Sequence, residues 1–107
     1  YIGNWTIKDE WAEPSKGASL QLWFEAKEVF LVMRPTTKNT SVRVIIRLDG
    51  QPVAADLRNA GTDVTDDILT ITEDKLYRLI NLLKPGQHHL YLEFLDGNVE
   101  LYAFTFG

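Results

Sequence analysis

The sequence contains no cysteine. A disulfide, a zinc site with thiolate ligands, a cysteine nucleophile and a C-x-x-C redox pair are therefore excluded within this chain. The absence does not fix the cellular compartment, because a chain of 107 residues can bury an adequate core without a disulfide even outside the cell. We expect a single domain that spans residues 1–107.

Long apolar runs and an excess of positive charge are also missing. The apolar runs are only a few residues long, which is too short to span a bilayer. The formal net charge is −4 and the basic residues are scattered, whereas nucleic acids and anionic membranes require a concentrated positive surface. We therefore expect neither as a partner. Because the chain starts at Tyr1 without a methionine or a visible signal peptide, we interpret it as an excised domain or a processed product.

Motifs for catalysis and cofactor binding are equally scarce. No serine lies in a G-x-S-x-G context, and there is no glycine-rich phosphate loop. His88 and His89 are adjacent, so in a strand they point to opposite faces and cannot share a metal ion. Asp63, Asp66 and Asp67 could supply oxygen ligands to calcium, but they lack the spacing of a calcium loop and we favour turn-forming aspartates. We expect no active site, metal or cofactor in this chain.

The sequence does contain repeated alternation of apolar and polar residues, which is typical of half-buried strands. Such runs cover residues 3–8, 18–26 and 41–49. In the second run the alternation places Ser19 outward and the apolar residues inward, namely Leu20, Leu22, Phe24 and Ala26. In the third run the inward residues are Val42, Val44, Ile46 and Leu48. Residues 68–72 predict a short β-branched strand, and residues 28–34 are apolar on both faces, as in a central strand. Residues 9–17, 35–40 and 54–67 are polar and predict turns or loops, and Asp49-Gly50 predicts a hairpin turn. Short strands separated by turns predict an all-β sandwich or jelly roll.

The C-terminal segment, residues 87–107, consists of two alternating runs on either side of Asp96-Gly97. A two-residue turn would pair Phe94 with Val99 and place the apolar residues of the two runs on different sides. A three-residue loop pairs Phe94 with Glu100 instead, and Asn98 tolerates the left-handed conformation that this loop needs. We prefer this register, which buries Tyr102, Phe104 and Phe106. An arch, with the two strands facing each other from opposite sheets, is the alternative.

Residues 75–83 are ambiguous. Leu76, Leu79, Ile80 and Leu83 fit a helical stripe, which Thr72 could cap and Pro85-Gly86 would end. Alternation with a period of two residues is poor, so periodicity alone slightly favours a helix.

Several segments resemble a known family. They are GNWTI near the start, LQLWFEAKEVFLVM, LDGQPV, the GTDV of residues 61–64, the LYRL of residues 76–79 and the final YAFTFG. In this order and spacing, over residues 3–107, they resemble the C-terminal domain of thioredoxin-like thiol:disulfide interchange proteins of the DipZ type.

The resemblance implies an all-β jelly-roll sandwich, similar to carbohydrate-binding modules, that follows a thioredoxin fold. The redox C-x-x-C would then lie upstream of Tyr1, in a protein whose location is extracytoplasmic. The resemblance also implies a strand at residues 76–82, and we accept the strand because a helix would have no apolar face left to cover. The expected partners are the preceding thioredoxin-like domain and a carbohydrate or protein substrate.

One outward aromatic side chain suggests where such a partner binds. If Leu20, Leu22 and Phe24 face the core, then Trp23 faces outward between Gln21 and Glu25, and the outward Arg43 and Arg47 could lie on a neighbouring strand. This group suits docking on a thioredoxin-like domain or binding of a sugar ring, unless the 9–17 loop covers the indole with Trp11. We expect a non-catalytic accessory domain of a thioredoxin-like oxidoreductase; the alternative is a lectin-like carbohydrate-binding module.

The missing cysteine gives a first prediction. In an insulin-reduction assay the isolated chain is expected to show only the background rate, because it has no sulfur nucleophile. A rate above background would contradict the accessory role.

Overall fold

Nine strands and no helix make up the part of the chain that the computed structural model describes, which is residues 3, 5–8, 10–37, 40–52, 64–65 and 67–107. The strands are β1 (Trp5–Ile7), β2 (Ala12–Pro14), β3 (Ser19–Pro35), β4 (Val42–Leu48), β5 (Gln51–Pro52), β6 (Val64–Thr65), β7 (Ile68–Ile71), β8 (Lys75–Phe94) and β9 (Val99–Phe106). They form one antiparallel sheet in the order β1-β2-β9-β3-β8-β4-β7-β6, and β5 pairs with β4. A membrane-spanning helix is absent from these residues.

The long strands β3 and β8 connect two halves of this sheet. The first half of β3 pairs with the second half of β8, from Ser19–Glu93 to Ala26–Gly86. Pairing resumes at Glu28–Asn81, so one residue of β3 lies opposite four residues of β8. Irregularities of this kind interrupt the hydrogen bonds and bend a ribbon. Beyond it, the second half of β3 pairs with the first half of β8 and also with β9.

The bend lets the sheet fold over on itself into two layers. The β9 layer contains β1, β2, β9, the second half of β3 and the first half of β8, and the β4 layer contains the other halves of β3 and β8 with β4, β5, β6 and β7. Trp5 of the β9 layer packs edge-on against Phe94 of the β4 layer, with ring centroids 5.5 Å apart. One buried cluster contains residues of both layers. The all-β jelly-roll sandwich predicted from the sequence is therefore confirmed.

The alternation in β3 and β4 determines which side chains form this core. Leu20, Phe24 and Ala26 are buried as predicted, and so are all four predicted inward residues of β4: Val42, Val44, Ile46 and Leu48. The irregularity after Ala26 shifts the alternation by one residue, so the buried residues beyond it are Val29, Leu31 and Met33. Ser19 was expected to point to solvent and is buried instead.

The turns have the backbone conformations that their residues favour. Asp49 and Gly50 have φ values of 54° and 80°, which is the pair of left-handed conformations that a two-residue hairpin turn requires. The turn joins β4 to β5, as predicted. The predicted 9–17 loop is only partly a loop, because β2 lies inside it and pairs with β1 and β9.

The predicted C-terminal hairpin is wrong, and the arch is the arrangement found. β8 and β9 do not pair; each pairs with β3, which lies between them. Asn98 does adopt a left-handed conformation, with a φ of 53°. Its carbonyl accepts a hydrogen bond from Thr36 in the turn after β3, at 2.9 Å. The turn residues were therefore identified correctly, but they connect the two layers rather than two paired strands.

The three C-terminal aromatic residues are less buried than expected. Leu101 pairs with Met33 and Phe104 pairs with Leu31, so Tyr102 and Ala103 form a bulge opposite one residue of β3. The bulge turns Tyr102 to the outer surface and returns Phe104 to the core side. Phe104 is only half-buried and Phe106 is 46% exposed, whereas Val99 and Leu101 are buried.

The helical stripe at residues 75–83 is wrong, and the strand that the resemblance implied is confirmed, since these residues belong to β8. A bulge at Leu79 explains the misleading spacing: Val29 pairs with Ile80 and Phe30 with Arg78, so Leu79 is unpaired and both Leu79 and Ile80 are buried. Leu76 and Leu83, the two ends of the stripe, are exposed.

Two phenylalanines provide a matched test of this core. Phe94 is completely buried between the layers, so Phe94→Ala is expected to lower the free energy of unfolding by about 3–5 kcal/mol. Phe106→Ala removes a ring that is half in water and is expected to cost roughly 1 kcal/mol. Equilibrium urea denaturation measures both changes, and the reverse ranking would contradict the arch.

Candidate functional site

The outer surface of the β4 layer carries the candidate residues, because β8 lies between β3 and β4. Tyr91 of β8 pairs with Gln21 on one side and with Arg47 on the other, so these three residues form one row across the strands. Trp23 and His89 form the next row. We call this surface the Trp23 face and define it by Gln21, Trp23, Glu25, Arg47, Gln87, His89 and Tyr91.

Trp23 is exposed, as predicted from the alternation in β3. Its relative exposure of 77% is the highest among the large apolar side chains of the described residues. Trp11 does not cover it. The Trp11 ring instead lies 5.9 Å from that of Tyr102 on β9, and its indole nitrogen donates to Glu13 at 3.1 Å. An exposed indole on the outer surface of a sheet is a common feature of binding surfaces.

His89 supports the Trp23 side chain. The two rings have centroids 4.8 Å apart at an angle of 53°. The Nε2 atom of His89 lies 3.1 Å from the amide oxygen of Gln21, and this contact orients the imidazole. The indole is therefore held in place on one side while its other side remains open to solvent.

Arg47 lies against Tyr91. The centre of its guanidinium is 5.7 Å from the centroid of the Tyr91 ring, within the range of a cation–π contact. The Tyr91 hydroxyl donates to Glu93 at 2.9 Å, and burial, together with this carboxylate, raises the pKa of Tyr91. The Nε atom of Arg47 is buried and has no hydrogen-bond acceptor among the described residues.

Arg43 does not belong to the same group, contrary to the prediction. It lies four residues before Arg47 on β4, which corresponds to about 13 Å along the strand. Asp96 accepts hydrogen bonds from its backbone N–H at 2.9 Å, from Nε at 3.0 Å and from Nη2 at 2.9 Å. These bonds fasten the turn after β8 to β4, so Arg43 has a structural role in the described fold.

Glu25 borders a shallow depression next to the indole. It pairs with Gln87 across β3 and β8. Trp23, Phe24, Glu25 and Gln87 line an open depression of about 390 Å³. An aromatic surface beside a carboxylate and an amide can contact a ring that has an apolar face and hydroxyl groups.

The residues of β8 are the part of this surface that the sequence did not reveal. His89, Tyr91 and Glu93 alternate with Leu90 and Leu92 in the sequence and lie on the opposite face of the strand. The alternation did not identify β8 as the neighbour of both β3 and β4. Only the strand order, which depends on contacts between distant residues, brings them next to Trp23.

A second polar cluster lies on the outer surface of the β9 layer. Glu100 is 8% exposed, and its Oε1 atom accepts hydrogen bonds from Arg34 Nε at 2.9 Å and from the Tyr102 hydroxyl at 2.7 Å. Burial and the Glu100 carboxylate raise the pKa of Tyr102 to about 12. The buried Glu100 carboxylate thus receives two hydrogen bonds from side chains of the same chain. A buried polar group that is satisfied in this way is typical of a structural cluster.

The two histidines point to opposite faces, as expected. His88 faces the core side, where its Nδ1 atom contacts a carboxylate oxygen of Asp49 and its ring lies 6.0 Å from that of Phe24. Asp49 also accepts the backbone N–H of His89 at 2.8 Å, so it fastens the β4–β5 turn to β8. Within the described residues no group of three or more potential metal ligands occurs. Asp63 and Asp66, two of the three aspartates considered as calcium ligands, lie outside the described residues.

A family comparison covers nearly the whole chain. A family model described as thioredoxin like C-terminal domain matches residues 2–107. The chain belongs to this family. The resemblance identified from the sequence is therefore confirmed. A search of curated proteins gives no match.

Solved structures with a similar fold include two carbohydrate esterases. A family two carbohydrate esterase from Clostridium thermocellum, in complex with cellohexaose, has a TM-score of 0.74 and 20% identity, over 100% of this chain and 30% of the esterase chain. A family two carbohydrate esterase from Cellvibrio japonicus has a TM-score of 0.68 and 19% identity, over 98% of this chain and 29% of the other. The thioredoxin-like C-terminal domain thus spans under a third of these enzymes, and the similarity concerns the fold alone.

The pairing of Arg43 with Asp96 predicts a pH dependence. Hydrogen bonds from Arg43 lower the pKa of Asp96, so the pair stabilises the fold above the usual aspartate pKa of about 4 and ceases to do so as the pH falls through the lowered value. Asp96→Asn is expected to lower the thermal midpoint at pH 7, with the difference from the unaltered protein shrinking as the pH falls from about 4 to 2. Glu10→Gln, at an exposed position, is the control and should leave the midpoint nearly unchanged. A difference that persists at the lowest pH would contradict the ionic contribution.

Proposed function

We propose that this chain is a non-catalytic accessory domain that docks, through the Trp23 face, on a thioredoxin-like domain of the same protein. The family supports an accessory role beside a thioredoxin-like domain. The observation that supports this surface is the Trp23 indole, which is 77% exposed yet held by His89. An oriented aromatic side chain loses little conformational freedom on binding, and tryptophan and arginine are the residues that most often anchor interfaces.

The polar residues around the indole suit a protein partner. Arg47 offers a half-buried guanidinium that lies over the Tyr91 ring, and Glu25 offers an exposed carboxylate. An interface that surrounds one aromatic anchor with a few charged groups has the composition of contacts between domains, which are modest in area and more polar than permanent interfaces.

The position of Gly3, close to the start of β3, is compatible with docking through the Trp23 face. Gly3 lies against Ala18, where a Cβ at position 3 would come within 2.9 Å of the Ala18 Cα. Ala18 immediately precedes β3, and Trp23 lies about 17 Å further along that strand. A domain attached upstream would therefore be tethered to the strand that carries the indole.

The second candidate function is binding of a carbohydrate at the same face. The depression formed by Trp23, Glu25 and Gln87 supports it, because an indole and polar side chains at its edge match the apolar face and hydroxyls of a sugar ring. One similar structure contains cellohexaose. Docking is preferred because Arg47 and Tyr91 add a polar and aromatic surface beyond the depression, along which a larger partner can extend.

Trp23→Ala tests both functions. Because the indole is exposed, the variant of the isolated domain is expected to keep its stability within about 1 kcal/mol. In the two-domain protein the same change should weaken the contact between domains by about 2 kcal/mol or more, as for an aromatic anchor. Thr70→Ala, an exposed residue on β7 of the same layer, is the matched control and should leave the contact unchanged.

The measurement is a comparison of backbone amide chemical shifts between the isolated domain and the two-domain protein. Docking predicts changes at Trp23 and Arg47 that Trp23→Ala abolishes. Unchanged shifts together with shifts induced by a panel of oligosaccharides would replace docking by carbohydrate binding. Unfolding of the isolated Trp23→Ala variant would reject both functions, since the side chain would then belong to the core.

A further inference from the structure

The first half of β3 is paired along one edge only. Its partner there is β8, and no other strand of the described residues pairs with it between Ser19 and Ala26. Beyond this stretch the other edge is closed, because Gly107 accepts hydrogen bonds from the N–H groups of Lys27 and Glu28 at 2.9 and 3.2 Å and donates to Glu28 at 3.0 Å. The unpaired stretch is thus short and bounded.

The hydrogen-bond pattern identifies which backbone groups are free. Phe94 donates to the carbonyl of Ala18 at 2.9 Å while Ser19 lies opposite Glu93. In an antiparallel ladder this assigns the β8-facing N–H and C=O groups to Leu20, Leu22 and Phe24. The corresponding groups of Gln21, Trp23 and Glu25 point to the open edge, repeated about every 6.8 Å. All three residues are exposed.

Apolar side chains are also left uncovered beside this edge. Leu22 of β3 and Phe104 of β9 are only half-buried, and Phe106 is 46% exposed, although all three lie on the core side. A cavity of about 250 Å³ opens on the same side, with Leu20, Leu31, Leu101 and Phe104 in its wall and the exposed Ile7 at its margin. The sandwich formed by the described residues is therefore incomplete between the β3 edge and β9.

Charge does not protect the edge. Soluble proteins usually block an open edge with proline, with inward charges or with a bulge inside the strand. Residues 20–26 contain no proline, and their only charged residue, Glu25, points outward. Lys8 and Glu10 lie at one end of the opening, and Glu25 and Lys27 at the other. Each end thus carries charges of both signs, so neither end favours a segment of one particular charge.

We propose that this edge binds an extended, uncharged polypeptide segment with apolar residues at alternate positions, which adds to the β4 layer as a further strand next to β3. The inference rests on the proposed accessory function, since an oxidoreductase acts on polypeptides in which extended segments are exposed. Only an extended backbone presents donors and acceptors at the same repeat as Gln21, Trp23 and Glu25, because a helix uses its own. Every second side chain of the segment would cover Leu22, Phe104 and Phe106.

Amide hydrogen exchange of this chain with a synthetic peptide tests the proposal. The probe is a blocked, uncharged peptide of about seven residues that alternates valine and threonine, with a serine at each end for solubility. At a free peptide concentration about ten times the Kd, exchange is expected to slow about tenfold at Gln21, Trp23 and Glu25. Leu20, Leu22 and Phe24, which already bond to β8, should not change. Protection without this alternation, or none at all, would overturn the proposal.

Two controls distinguish backbone pairing from nonspecific hydrophobic binding of the peptide. The same peptide with N-methyl groups on the alternate amides that would face β3 should give no protection. Gln21→Pro removes one edge N–H, which a strand edge tolerates, and should lose the protection, whereas Gln21→Ala keeps the N–H and should retain it. Binding of the methylated peptide would overturn the proposal even if Gln21→Pro failed to fold.

Further outcomes distinguish this inference from the docking function. Trp23→Ala keeps the backbone N–H, so it should abolish docking and retain peptide protection. If the two-domain protein with the unaltered sequence shows no docking shifts while the peptide still protects the edge, docking through the Trp23 face is rejected and the edge proposal stands. If Gln21, Trp23 and Glu25 are protected without peptide and sedimentation shows a dimer, the edge binds a second copy and the peptide assignment is wrong.

Discussion

The antiparallel pairing of β3 with β8 is the constraint on which the rest of the domain depends. The two strands are the longest in the described structure, and each contributes to both layers. β4 pairs with the second half of β8 and β9 with the second half of β3, so both layers grow outward from this ribbon. The bend between the halves brings the layers face to face and encloses the core. A straight ribbon would leave one face of the sheet in water.

The bend depends on a length mismatch more than on any single contact. One residue of β3, Lys27, lies opposite Leu82–Pro85 of β8, and Gly107 then closes the β3 side of the gap through its hydrogen bonds. Lys27 is a single additional residue between the two halves of β3, so it shifts the alternation by one position. The inward residues are Leu20, Phe24 and Ala26 before it. After it they are Val29, Leu31 and Met33. The mismatch therefore decides both the shape of the sheet and which side chains the second half buries.

Local patterns in the sequence predicted what depends on near neighbours. The inward residues of β4, the outward position of Trp23, the Asp49-Gly50 turn and the left-handed Asn98 all follow from alternation or from one residue's conformational preference, and the structure agrees with each. The failures lie where strands shift register. The bulges at Leu79 and at Tyr102–Ala103 change the face of the residues that follow, and a pattern with a fixed period cannot contain them. The local pattern also could not predict the order of the strands in the sheet. For that reason it could not show that His89 and Tyr91 contribute to the Trp23 face.

Trp23 belongs to both proposed surfaces, to the outer face through its side chain and to the open edge through its backbone. Its side chain belongs to the outer face, where His89 supports it, whereas its N–H and C=O lie in the plane of the sheet and point to the open edge. In a strand these directions are perpendicular, so a partner on the face and a strand at the edge do not compete for the same space. Among the described residues the β4 layer ends at β3, which leaves both surfaces open. A further strand from this chain would complete the sandwich and cover Phe104, but it would also remove the edge. The incomplete layer exposes apolar surface, which is unfavourable in water. Such exposure is consistent with a domain whose core is completed by a partner.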